Sequence, residues 1–242
     1  MSSDPDSLVM LAWLRGRAEI ACKGERPTRG RSSQVSIADE RTLVEKLGRL
    51  DSKGQIAFAA SCCERLLPNY RAFSIVEQWG NPAALRKALD AIWSFLDGVG
   101  LSTDEIKSLS TACMDAVPDS EEFQTIFTGL AQDASASILH VLGYMLELKL
   151  DELVQVARLP LDSIDYYLNM TCNPYVESQE SNLEFDGWIE KAPMMRAEVR
   201  KQTEDLDLIL TWGGSTADLI RHLRDSSRLV GIQPFTRGIV KE

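Results

Sequence analysis

Helix punctuation constrains this chain more than any other feature: apolar residues recur at helical spacing, and the places where they stop carry caps and breakers. At Gly80-Asn81-Pro82 a glycine ends one segment and asparagine offers a side-chain oxygen to an orphan N–H. Proline then takes a first-turn position that needs no donor. The spacing predicts a helix over Pro82–Asp97, with Leu85, Leu89, Ile92, Trp93 and Leu96 on one face. Ser102-x-x-Glu105 is a capping box, and Ser36-x-x-Asp39 resembles one that opens a helix to about Leu50.

Farther along, Ser120–Leu148 has a long helical pattern whose centre, Ala131–Tyr144, is rich in small and apolar residues and belongs in the middle of a bundle. Pro160 separates Asp151–Arg158 from Leu161–Cys172 and either kinks one helix or starts a second. Ala197–Trp212, entered after Pro193 and stopped by Gly213-Gly214, is a further helix; Ser215 caps a short one to about Arg224. The tail, Ser227–Glu242, reads as extended and irregular. Alternation of period two survives nowhere else for more than a few residues, so the expected fold is all-α, a bundle of eight to ten helices with no internal repeat.

The head has a different character. Ser7–Ala21 is moderately amphipathic, and Lys23–Ser33, with Gly24, Pro27 and Gly30, is a basic linker. Residues 1–36 hold six bases and four acids, so the other 206 of the 242 residues carry −12. The predicted division is an appendage over 1–36 and an acidic bundle over 37–242. Lys and Arg number 26 against 36 Asp and Glu, a net charge of −10, which repels nucleic acid and favours a basic protein partner. No apolar run approaches the roughly twenty residues a bilayer requires. The first residues carry acid rather than the positive charge of a secretory signal, so a cytoplasmic location and no membrane partner are expected.

Ala59–Phe73 reads Ala-Ala-Ser-Cys-Cys-Glu-Arg-Leu-Leu-Pro-Asn-Tyr-Arg-Ala-Phe. With Cys63-Glu64-Arg65 and Pro68-Asn69-Tyr70 as its specific parts, this resembles the signature of the YjaG-like bacterial proteins, a family of unknown function. The resemblance continues through Leu85–Trp93, which includes Asp90 and Trp93, then Pro118-Asp119 and, more weakly, Asp133–Glu147. It spans roughly residues 42–225. It implies an all-helical cytoplasmic bundle and carries no activity.

Read on their own, Phe58, Cys62 and Leu66 share one face of a helix that Pro68 breaks, and Tyr70 and Phe73 start the next. Glu64 or Arg65 is expected to pair across the bundle with Asp90, Asp115 or Asp119, fixing helix order.

Few constellations offer chemistry. The two histidines have Ser137 and Leu219 three residues before them, so the Glu-x-x-His pairs of a di-iron bundle are missing. Cys62 and Cys63 are adjacent rather than spaced for zinc, and no cofactor or metal is expected. The five cysteines are an odd number in apolar helical segments, which points to free buried thiols. A Cys62 or Cys63 nucleophile with His140 is the remaining catalytic arrangement, although His140 lies between Leu139 and Val141 on an apolar helix.

Pro174–Glu190 is more informative. It holds Glu177, Glu180, Glu184, Asp186 and Glu190, no base, and the aromatics Tyr175, Phe185 and Trp188; Asp162 and Asp165 precede it. Aromatic anchors among charge suit an interface, or else fold back to cover the bundle. The leading expectation is a binding protein that neutralises a basic partner, most concretely an immunity protein against a co-encoded toxin such as a nuclease. A small enzyme or redox-responsive protein using Cys62 and Cys63, or a structural homo-oligomer, are the alternatives.

Overall fold

The computed structural model describes residues 40–171 and 189–230, all within Val35–Glu242. Among these residues there are eight helices and no strand. They are α1 (Glu40–Gly48), α2 (Ser52–Glu77), α3 (Pro82–Leu96), α4 (Thr103–Met114), α5 (Ile126–Glu147), α6 (Leu150–Thr171), α7 (Pro193–Thr211) and α8 (Thr216–Val230). The all-α expectation holds, and the N-terminal appendage lies outside the described residues.

The local chemistry of the ends is largely as the sequence indicates. Asn81 accepts from the Ala84 N–H with Pro82 in the first turn. Ser102 and Glu105 form the reciprocal capping box. Asp51 also caps α2, accepting from Gly54 N at 2.7 Å.

Several boundaries differ. Pro68 does not break α2, which runs on to Glu77; at Pro160 the first of the two expected alternatives holds, a single α6 with the proline inside it. Proline removes one ladder bond and crowds the preceding turn, a cost of about 3 kcal/mol in a helix interior. Burial of Leu66, Leu67, Tyr70, Ala72 and Phe73 around Pro68, and of Leu161 and Ile164 beyond Pro160, opposes it. The helix expected from Ser120 begins instead at Ile126, because Asp119 turns the chain: its carbonyl accepts from Phe123 N and its side chain from Glu121 N. Finally, α8 continues past Arg224 to Val230, so the first residues of the expected extended tail are helical.

Two helices form the centre. α2 packs most extensively on α5, and α5 on α6; α3, α7 and α8 lie against α2, α4 against α5 and α3, and α1 against α6. Small residues allow the close approach: Ala57, Ala59, Ala60, Ser61, Cys62 and Cys63 on α2 face a bundle whose α5 carries Ala131, Ala134, Ser135, Ala136 and Ser137. The buried hydroxyls of Ser135 and Ser137 return to their own helix, donating to Ala131 O and Ala134 O.

Tyr70 ties the end of this core to its loops. Its hydroxyl donates to Ala116 O and accepts from Asn81 N at 3.1 Å. Gly80 lies under that ring with φ +94°, where a Cβ would stand 2.5 Å from the tyrosine oxygen. Both backbone conformation and space therefore demand glycine there. Gly80→Ala is expected to lower stability by about 1–3 kcal/mol in urea unfolding, whereas Gly48→Ala, with nothing within 4 Å, should be nearly neutral. Equal effects at the two positions would show that the Tyr70 contact is not the cause.

Candidate functional site

Adjacent residues of the sequence signature point into two separate charged clusters. Arg65, 0% exposed, has its donors engaged on all sides. Nε and Nη2 reach Glu198 at 2.9 and 2.8 Å, and Nη1 reaches Asp205 at 3.1 Å, Ser61 O at 3.0 Å and Ser227 Oγ at 3.3 Å. Nη2 also contacts Cys62 Sγ at 3.3 Å. Asp205 is completed by Ser61 Oγ and by Lys201, which also donates to Ser226, while Gln202 donates to Glu198. Two buried cations, Arg65 and Lys201, thus balance two buried carboxylates, Glu198 and Asp205. The forked guanidinium engages both oxygens of Glu198, a geometry lysine lacks.

Glu64 points the other way. Arg86 grips its two oxygens at 2.7 and 3.1 Å, Trp93 Nε1 donates at 2.9 Å, and Arg228 Nε donates at 2.8 Å. Arg86 bridges onward to Asp90 at 2.9 Å, and Arg224 also pairs with Asp90. Burial pushes the Glu64 carboxyl up, but the Arg86 and Arg228 hydrogen bonds, the Arg86 charge and the indole N–H outweigh it and hold the group below the ordinary carboxylate range.

The expected partners of Glu64 and Arg65 need correcting. Neither residue meets Asp115 or Asp119, which are exposed, and Asp90 is joined to Glu64 only through Arg86. The partners of Arg65 lie 133 and 140 residues away on α7. A signal for them existed: Glu198, Lys201, Gln202 and Asp205 recur at helical spacing with Met195 and Leu206, so charged residues occupy a buried face. Arg86, Arg224 and Arg228, the partners of Glu64 and Asp90, carry no comparable signal in the sequence.

The thiols are poorly placed for nucleophilic work. Cys62 is fully buried, and burial pushes its thiol up to about 12 despite the neighbouring Arg65 charge. Cys63 is raised by burial as well, despite a hydrogen bond with Ser137. His140 contacts Glu152 at 2.6 Å rather than a thiol. Among the described residues no group of three or more His, Cys, Asp or Glu is arranged to hold a metal ion, and no helix is long and apolar enough to cross a membrane. Two depressions, of about 250 and 350 Å³, lie along α8 and share Arg221 and Asp225; Arg65, Glu198, Asp205 and the thiols line neither.

Of the expected partner-binding residues, Tyr175, Glu177, Glu180, Glu184, Phe185, Asp186 and Trp188 lie outside the described residues. Glu190 and Asp162 are exposed and Asp165 half-buried. A different aromatic group is visible at the end of α2. Phe73, Trp79 and Phe123 form a three-ring cluster, with Phe73–Phe123 edge-on at 5.4 Å and Trp79–Phe123 at 5.1 Å. Phe73 is buried, while Trp79 and Phe123 are half-exposed.

Residues 42–233 match the model of a family described as a protein of unknown function, DUF416. The chain belongs to this family. A DUF416 family protein from Shewanella baltica OS155, known from a 1.91 Å crystal structure, is 24% identical and superposes with a TM-score of 0.68 over 78% of this chain and 94% of that one. At that identity the likeness concerns the fold. No curated protein matches the chain. The DUF416 match covers α2 through α8, so both charged clusters fall inside it.

Arg65→Met should cost about 3–5 kcal/mol, because Glu198 and Asp205 are left buried with one cation, Lys201, between them. Adding Glu198→Gln, which leaves Lys201 and Asp205 as a balanced pair, should recover much of the loss. Urea unfolding of the single and double variants is the check, and a single variant as stable as the wild type would remove the network as a structural keystone. Glu64 predicts a pH dependence. Because its folded pKa is depressed, its contribution is present above the unfolded value near 4.5 and is lost as pH falls through the folded one. The stability gap between wild type and Glu64→Gln should therefore close below about pH 4.5.

Proposed function

We propose that this DUF416 chain is a binding protein that neutralises a basic protein partner, and most concretely an immunity protein acting on a co-encoded toxin. The observation that carries this reading is the separation of charge between interior and surface. The buried charges Arg65, Lys201, Glu198, Asp205 and Glu64 are all paired within the fold. Exposed acids outnumber exposed bases by 17 to 11 among the described residues. The surface surplus is therefore not required to neutralise the core, and it is available to steer a cationic partner. The depressions along α8, lined mostly by charged residues, lack the apolar walls of a ligand pocket, and the raised thiols argue against the cysteine alternative. Within DUF416 we place the chain beside the YjaG-like bacterial proteins, on the match at Ala59–Phe73.

The test is co-expression with the product of the adjacent gene in a strain that this product harms. Expected are restored growth, a stoichiometric complex of the purified proteins, and an association rate that falls steeply with ionic strength. A neighbouring product that is harmless, or rescue without any complex, would reject the immunity reading.

A further inference from the structure

The end of α2 and the connection into α5 combine features that the rest of the described surface does not bring together. Ile75 is 50% and Val76 42% exposed on the last turn of α2, three and four residues before the half-exposed Trp79, whose ring packs with that of the half-exposed Phe123. The platform under them is rigid. Phe73 is buried beneath both rings, Tyr70 packs at a tilt against Phe73 at 6.0 Å, and Gln132 of α5 donates to Pro118 O at 2.8 Å, fixing the connection.

Acids surround the apolar group. Glu77 accepts from Thr125 Oγ1 at 2.6 Å, which sets it beside the connection carrying Asp119, Glu121 and Glu122. Asp115, Asp119, Glu121 and Glu122 are exposed and take part in no ion pair among the described residues. No Lys or Arg occurs anywhere from 108 to 148, nor from 72 to 85; Arg71, one turn before Ile75, is where the base-free stretch of α2 ends. Pre-ordered aromatic rings, exposed aliphatics and unpaired carboxylates make up an anchor-and-rim surface for a cation next to an apolar side chain.

We infer that the surface formed by Ile75, Val76, Trp79 and Phe123, rimmed by Glu77, Asp119, Glu121 and Glu122, docks a cationic amphipathic segment of a partner protein. Its apolar side chain seats against Trp79 and Phe123, and its Arg or Lys residues face the carboxylates. This rests on the proposed preference for a basic partner but not on that partner being a toxin.

The probe is a lysine–leucine amphipathic peptide, titrated into the full chain and followed through the tryptophan indole signals in ¹⁵N NMR, with Trp79 assigned from Trp79→Phe. The Trp79 signal should shift and saturate. Glu121→Lys with Glu122→Lys should weaken the peptide by about tenfold or more, whereas Glu45→Lys with Glu204→Lys, the same change in net charge elsewhere, should have little effect. A lysine–serine peptide of equal charge should bind much more weakly, because it lacks the anchor. Equal weakening by both charge pairs would reduce the effect to net charge and overturn the assignment, as would an unmoved Trp79 signal. Self-association lost on Ile75→Lys would also overturn it, by making the patch a contact between copies of this chain. Failure of toxin rescue with a positive peptide result would reject the immunity reading alone.

Discussion

A guanidinium with no exposure to water must have its charge balanced by the protein, and Arg65 imposes that requirement on the whole C-terminal part of the fold. Taking such an ion out of water costs several kcal/mol even after relaxation, and only well-aligned counter-charges offset it. α2 alone offers Ser61 and Cys62. The carboxylates come from α7 and the hydroxyl of Ser227 from α8, so burying Arg65 couples three helices that are distant in sequence. The neighbouring Glu64 makes the same demand with the opposite sign on α3 and α8. Two consecutive residues of opposite charge thereby orient the helices on different sides of α2. Helices that merely share an apolar stripe can slide; forked charge pairs specify one register.

This explains which parts of the structure were legible in the sequence. Helix ends are local: Asn81 and Ser102 with Glu105 satisfy donors within one turn, and Pro82 and Pro193 take first-turn positions that need no donor, so their meaning can be read in place. Pro68 reads as a breaker because the local penalty is real, but the burial that opposes it depends on neighbours the sequence does not display. Pairing across the bundle is worse placed still. Asp90, Asp115 and Asp119 were natural candidates for Arg65 by proximity along the chain, yet the true partners occupy a stripe on α7 recognisable only by asking why Glu198, Lys201 and Asp205 share a face with Met195 and Leu206. Glu64, Arg65, Tyr70 and Trp93 all make buried polar contacts that organise the fold. The acidic segment over 174–188 falls outside the described residues, and the aromatic cluster of α2 was hidden because Trp79 and Phe123 stand far apart in the chain.

α8 shows how the two charge systems meet. Among its described side chains, Leu219, Ile220 and Leu223 are the buried apolar residues of α8. The rest of its attachment is polar: Arg224 to Asp90, Arg228 to Glu64, Ser226 to Lys201 and Ser227 to Arg65. Its outward arginines therefore serve as structural counter-charges, and they are not surplus base. Arg224 and Arg228 belong to Asp90 and Glu64 before they belong to the surface.

That accounting sharpens the meaning of the net −10. If interior charges cancel and several surface arginines are committed to Glu64 and Asp90, the acids left without an ion pair among the described residues include a group where no base occurs, Asp115, Asp119, Glu121 and Glu122 between α4 and α5. Like charges gathered on one face repel, and the repulsion lowers the stability of the compact state without any return from the fold. The core derives nothing from Glu121 or Glu122, which are exposed and unpaired among the described residues. An unfavourable arrangement of this kind, set around aromatic rings that the buried Phe73 and Tyr70 hold in place, is better explained by what it meets outside the molecule than by anything it supports within.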